Sequence, residues 1–311
     1  MPTELLRQQA PVRLALLLIW IAPLLSTVNQ IAARIAPGVV APHVLAFGRW
    51  GIAGLILTWL ARRELWLMRE HIRGTWYQSL VLGGCGMWIC GAWVYLAGES
   101  TSAMNISLIY ASSPVMIAVG SVLWLGEHFS KRQIIGVGLS MAGVTHVVVR
   151  GHWSALAQVE LVAGDLWILA AAIAWAAYAL LQKHWHSPLS ATARLATICM
   201  GGVLVLLPFA MWELSLSATP DLGRQAYFLI GLTALVPGLG AYWIYGWTQK
   251  ILGTSRVAVT LYLGPLYAGL AAWLLLNEPL SWHHLAGGLL ILSGVGLVMV
   301  NQKKSERDHS E

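Results

Sequence analysis

The sequence predicts an all-α integral membrane protein of ten transmembrane helices, built as two five-helix repeats of inverted topology. Three observations carry this prediction: an apolar, charge-poor composition, a one-sided distribution of lysine and arginine, and constrained residues that recur at a fixed offset. Of 311 residues, 58% are hydrophobic and 10% are charged, where a soluble domain carries about 25% charged residues. The mean hydropathy is +0.67. Lipid is therefore the solvent, and the soluble domains that length alone suggests are set aside. The 31 glycines suit close helix–helix contact. The 17 tryptophans suit the headgroup level, where an indole is apolar at one end and wet at the other. The net charge of +6 does not indicate nucleic acid, because the basic residues lie in short loops between apolar runs rather than on one amphipathic face.

A span needs roughly 20 mostly apolar residues. Ten runs meet this, near 14–35, 42–61, 75–96, 102–124, 131–149, 164–183, 191–213, 225–247, 255–276 and 282–300. The first follows Arg7 and Arg13 as a signal peptide would. It runs on from Leu14 to Ile35 without a small-residue cleavage site after a short core, which predicts a retained helix. Polar breaks separate the others: Arg62 to Gly74, Glu127 to Arg132, Gly151 to Val162, Ser215 to Arg224 and Asn277 to Ser281. Cys85, Cys90 and Cys199 fall inside apolar runs. Their number and spacing make neither a disulfide framework nor a zinc site, so they read as small buried hydrophobes.

Lysine and arginine set orientation. With both termini in the cytoplasm, Arg34, Arg150 and Arg224 fall outside, Arg49 and Arg194 fall within spans, and the other 14 of the 19 basic residues fall inside. Adding or losing one helix would scramble this bias.

Pro114, Glu127, Gly136 and Gly143 recur as Pro265, Glu278, Gly287 and Gly294, each 151 positions later. Looser echoes are Trp20 with Trp175 and Arg49 with Arg194. The repeats are bounded at 12–150 and 163–301, with a cytoplasmic tail at 302–311. Five helices is an odd number, so the second repeat enters the membrane from the opposite side. Secondary transporters recurrently use this plan, because inverted halves can exchange conformations around a central site.

These residues carry a resemblance. Arg49-Trp50 in the second run, Pro114 in the fourth, Gly126-Glu127 after it and a glycine-studded fifth run, all echoed in the second half, resemble the drug/metabolite transporter superfamily and, within it, EamA-like ten-helix exporters. The resemblance covers about residues 12–301. It implies a multi-pass carrier of the bacterial inner membrane, commonly exporting amino acids or related metabolites, and names no single substrate. Asn277-Glu278 in place of Gly-Glu, and Pro23 within the first run, depart from the pattern.

Polar groups inside a span are costly and usually face the bundle interior or a cavity. Arg49 lies about ten ångströms into the second run at 1.5 Å per residue. It binds a substrate carboxylate or gates the path, or else it snorkels or is pinned by backbone carbonyls. Arg194, nearer its helix start, is expected to snorkel. Asn29 and Gln30 follow Pro23, whose ring bends a helix; they contact substrate or hydrogen-bond between helices. Tyr95, Asn105, Ser107 and Tyr110 in the first half, with Tyr178, Tyr242, Tyr245 and Tyr262 in the second, are candidates to line an aromatic, mildly polar cavity. The competing assignment is the aromatic interface belt, which takes Trp93 and Trp247. Pro23, Pro114 and Pro265 are hinge candidates. Glu127 and Glu278 are expected to cap the helices that follow them.

No carboxylate lies securely at mid-membrane. Glu99, Asp165 and Glu213 are at span ends, and His146 is the best internal titrating group. Proton antiport therefore finds no support in the residues, whereas exchange and facilitated diffusion stay open. His184-Trp185-His186 and His283-His284 lack acidic or cysteine partners at ligand spacing, so neither a metal nor a cofactor is expected.

The reading is a secondary transporter exporting small metabolites, such as amino acids or related amphiphiles, by alternating access. Its partners are a small-molecule metabolite and the lipid bilayer; the oligomeric state is left open, a monomer among the options. An integral membrane enzyme acting on lipid would need a nucleophile–base set near one interface. A receptor or scaffold would need a sizeable loop or tail. The sequence has neither feature.

Overall fold

The computed structural model describes residues 2–100, 109–110, 112–126, 130–149, 151–158, 163–216, 222–264, 266–267 and 282–299. The expected site residues Asn105 and Ser107, the hinge Pro265, and the caps Glu127 and Glu278 lie outside them, as does the side chain of Gln30.

The described chain is helical, without strands. Its main helices are α1 (Pro2–Ile35), α2 (Pro42–Leu67), α3 (Trp76–Ala97), α4 (Ser113–Leu125), α5 (Lys131–Val148), α6 (Ala163–His184), α7 (Ala191–Ser215), α8 (Arg224–Leu252), α9 (Thr254–Val259) and α10 (Trp282–Met299). A short helix, Arg69–Gly74, links α2 to α3. Among the described residues, six helices are long and apolar enough to cross a membrane: α2, α3, α6, α7, α8 and the Pro11–Ala33 part of α1. Large apolar side chains are exposed on the outside, with Leu123 81% exposed and Leu55 66%. Water would not tolerate this; acyl chains do. The molecule is a multi-pass membrane protein.

Pro23 sits inside α1 without ending it. The Ser26 and Thr27 hydroxyls each donate to the carbonyl four residues back, Ala22 and Pro23, and so are satisfied within the helix. Pro114 lies in the first turn of α4, after the turn residue Ser112, with Ile109 and Tyr110 helical before it. The Ser113 hydroxyl donates at 2.8 Å to the Tyr110 carbonyl, the one that Pro114 has no N–H to serve. Gly126 ends α4 at φ +67°, a left-handed conformation that explains the glycine before Glu127.

α2 and α7 run antiparallel. Gly54 faces the Cβ of Cys199 where they cross, and a carboxylate closes each end. At one end Glu213 of α7 accepts the amides of His43 and Val44 at 2.8 and 3.1 Å, the orphan donors at the start of α2. It also bonds His43 Nδ1 at 2.6 Å. At the other end Glu64 of α2 accepts the Ser190 amide and hydroxyl, each at 2.6 Å, at the start of α7. Both His43 and Glu213 are buried. Glu213→Ala strips three buried donors of their acceptor, at a cost of about 2–3 kcal/mol. We expect a lower apparent melting temperature in detergent, with Glu213→Gln falling less. Equal melting of Glu213→Ala and wild type would refute the cap.

α5 and α10 also pack antiparallel. A Cβ on Gly136 would lie 2.6 Å from the Gly294 carbonyl oxygen, and one on Gly143 would lie 2.7 Å from that of Gly287. The Ser140 hydroxyl between them donates to the Ile291 carbonyl at 3.5 Å. A small core of Val144, Val259, Tyr262, Ile291, Val295 and Val298 surrounds this contact. The larger core joins α1–α3 with α6–α8.

α3 and α8 each change winding at mid-length. Gly84–Ile89 and Ala234–Ala241 are π-helical, and the two segments start 150 residues apart. Both are glycine-rich, and the second holds Pro237. A π segment widens the helix and displaces backbone carbonyls from their usual partners.

Candidate functional site

Asn29, Arg49 and Tyr95 meet at the centre of the larger core. α2 carries Arg49 seven residues after its start, with a 2% exposed side chain. Arg49 Nη1 donates to Asn29 Oδ1 of α1 at 2.7 Å and to the Tyr95 hydroxyl of α3 at 3.2 Å. The Tyr95 hydroxyl in turn donates to Asn29 Oδ1 at 2.6 Å. The guanidinium is thus buried and, among the described residues, rests on side chains and not on backbone carbonyls. Its flat face stacks over Trp50, 4.4 Å from the ring centroid, and lies 5.8 Å from that of Tyr242. Both distances are within the range of a cation–π attraction.

Among the described residues, every group that touches Arg49 is neutral. No ion pair to Arg49 occurs among the described residues, and its Nε has no hydrogen-bond partner there. Gly238, in the π segment of α8, leaves room beside that atom: a Cβ there would come within 3.4 Å of Nε. A desolvated cation with a spare donor edge favours an anion strongly, since its own hydration has been removed.

An aromatic wall adjoins this group. Tyr242 meets Trp50 edge-on at 4.7 Å and Trp175 edge-on at 5.2 Å. Trp175 stacks on Tyr178 at 5.4 Å and tilts against Tyr245 at 4.9 Å. The Tyr242 hydroxyl donates to the Gly86 carbonyl at 3.0 Å, so a side chain ending one π segment bonds the backbone of the other. Gly86 is required here, because a Cβ would press on the Tyr178 ring at 2.7 Å. The Tyr110 hydroxyl pairs with Cys90 Sγ at 2.9 Å. The Trp50 and Trp175 indole nitrogens and the Tyr245 hydroxyl are buried without partners among the described residues. The wall therefore offers flat apolar faces with unused donors.

The structure gathers Asn29, Arg49, Tyr95, Tyr110, Tyr178, Tyr242 and Tyr245 into one region. Tyr262 is also buried, but it packs in the separate core between α5 and α10. Arg194 does not serve this region either. It was expected to snorkel; its Nη2 instead donates to the Gln182 and Trp185 carbonyls at 2.6 and 2.7 Å, closing the end of α6. Sequence reasoning missed Trp50 and Trp175 as wall residues, Cys90 as the partner of Tyr110, and the twin π segments. The last left a signal in the runs Gly84-Cys85-Gly86 and Pro237-Gly238-Leu239-Gly240, glycines clustered near the middle of each helix.

Known proteins bear on this arrangement. The chain is 28% identical to the uncharacterized transporter YvbV of Bacillus subtilis (strain 168), over 96% of this chain and 95% of that protein. It is 27% identical to an uncharacterized transporter of Archaeoglobus fulgidus, over 84% and 89%. It is also 27% identical to a protein of Salmonella typhimurium named "Probable amino-acid metabolite efflux pump", over 60% and 64%. A solved crystal structure superposes with a TM-score of 0.72 at 16% identity, over 93% of this chain and 99% of the other, and so shares the fold. The EamA-like transporter family matches residues 13–149 and again 162–300. With nearly its whole length matched in two stretches, the chain belongs to the EamA-like transporter family.

Proposed function

We propose that this chain is a secondary transporter that exports small carboxylate-bearing metabolites, amino acids and related amphiphiles among them, across the bacterial inner membrane by alternating access. The observation that carries this reading is Arg49: a buried guanidinium held by neutral groups, with an unused donor edge beside an aromatic wall. A substrate carboxylate would take the cation, and an apolar substituent would lie on the Tyr242 and Trp175 rings. The Salmonella relative's name supports the amino-acid class and the outward direction.

Ten spans in two inverted halves, divided near residues 150–163, belong to the same proposal. Both termini then lie in the cytoplasm. Three features support it. In the repeat Gly136 corresponds to Gly287 and Gly143 to Gly294, yet in space Gly136 meets Gly294 and Gly143 meets Gly287. A two-fold relation between halves produces this exchange. The π segments recur at nearly the repeat offset, and each of α2 and α7 caps the start of the other. Alternating access uses such symmetry, because the two halves can trade conformations.

The test is uptake and efflux of a labelled panel of amino acids and their deaminated relatives in proteoliposomes. We expect saturable flux of at least one carboxylate-bearing compound and none of its amide analogue. Flux that ignores the carboxylate would remove the Arg49 reading. An absence of any flux, with turnover of a lipid substrate instead, would remove the transporter reading.

A further inference from the structure

The closing turns of α2 carry a pattern that the transport site does not use. Ile52, Leu55, Trp59, Arg62 and Trp66 follow one another at steps of three or four residues, and so share one side of the helix. Arg69 extends the row just past the helix end. Ile52, Leu55, Trp59 and Trp66 are 37, 66, 64 and 69% exposed.

The arginines are folded back on the tryptophans. Arg62 Cζ lies 5.0 Å from the Trp59 ring centroid, and its Nη1 donates to the Trp59 carbonyl at 2.9 Å. Arg69 repeats this on Trp66, at 5.1 and 3.2 Å. The two units are seven residues apart, about 10 Å along the axis. Each guanidinium has its face on an indole and one nitrogen on a carbonyl. The Nη2 group makes no bond within the described protein, and planar donors of this kind match phosphate oxygens. Arg63 adds positive charge nearby, and Arg73 lies 3.9 Å from Glu70. Glu64 is committed to Ser190, and Glu70 approaches Arg69 only to 3.8 Å, with the Arg69 side chain half exposed and that of Glu70 largely so.

Position along the membrane normal fits the same occupant. α2 has 26 residues, about 39 Å of helix against a hydrocarbon core of about 30 Å. With its apolar part in the core, the Arg62–Arg69 end reaches the headgroup layer on the side that the charge bias assigns to the cytoplasm. Tryptophan partitions to this level, and basic residues there attract anionic lipid.

We propose that this stripe is a binding site for an anionic phospholipid. Its acyl chains lie along Ile52, Leu55 and Trp59, Arg62 holds its phosphate, and Arg69 makes a second contact further out. The site is independent of the transport reaction.

The test uses the purified full chain in neutral detergent, with phosphatidylglycerol, phosphatidylcholine or inorganic phosphate added. Lipid retention is read by native mass spectrometry and stability by apparent melting temperature. We expect phosphatidylglycerol to be retained and to raise the melting temperature above the phosphatidylcholine value. An Arg62→Gln/Arg69→Gln double variant should lose most of that difference while melting like wild type without lipid. Arg132→Gln, which removes an exposed arginine of α5, should keep it. Equal response to the two lipids, an unchanged response in the double variant, or the same stabilisation by inorganic phosphate would each overturn the proposal. A change of oligomeric state in the double variant, without loss of lipid selectivity, would assign the stripe to a second copy of the chain instead.

Discussion

Arg49→Ala is expected to weaken substrate binding by roughly 10- to 100-fold, the loss of one or two hydrogen bonds to a charged group worth about 1.5–3 kcal/mol. The variant should still fold. Asn29 and Tyr95 keep their mutual hydrogen bond at 2.6 Å when the guanidinium is gone, and a buried cation that no described carboxylate offsets is itself costly. Melting temperature should therefore hold or rise while affinity and flux fall. Arg49→Lys keeps the charge but loses the planar fork and the stacking on Trp50, so it should fall between alanine and wild type. Binding calorimetry and proteoliposome flux, with folding followed by gel filtration, check both variants. A folded Arg49→Ala protein with wild-type affinity would clear Arg49 of a role in binding. Loss of folding along with flux would make it a structural pin.

Gly136→Leu and Gly143→Leu are expected to lower stability. At both positions the obstacle to a Cβ is the backbone carbonyl of the opposite helix, at 2.6 and 2.7 Å. A flexible side chain could move aside; a helix carbonyl moves only with its helix. Overpacking of this kind costs about 1–3 kcal/mol or more. Gly138 lies on the same helix with nothing within 4 Å of its would-be Cβ, so Gly138→Leu is the control. Apparent melting temperature and yield after gel filtration should drop for the first two and hold for the third. If Gly136→Leu behaves like Gly138→Leu, the contact between α5 and α10 is not as drawn.

Much of the candidate site was legible because polar groups are conspicuous in apolar runs. Asn29, Arg49 and Tyr95 were each singled out on that ground, and they meet. Trp50 and Trp175 were not read as wall residues, because an indole in an apolar run looks the same whether it faces lipid, the interface or the interior. Tyr262 went the other way: its type fitted the set, but the rotation of its helical segment turns it into a different core. Glu213 reads in the sequence only as a carboxylate at a span end. It is buried because the end of α7 packs on the start of α2, 170 residues away in sequence from Glu213 to His43.

The sequence alone determined that this chain lives in lipid and which family's motifs it carries. Hydropathy sums over single positions, and the family motifs are short stretches, so neither needs the packing. Only the tertiary structure decided which polar residues form one site and which serve as caps. That property belongs to pairs such as Asn29 with Tyr95, Gly86 with Tyr242 and His43 with Glu213, which lie 66 to 170 positions apart. Whether such pairs meet depends on how each helix is rotated and how closely glycine lets its backbone approach another.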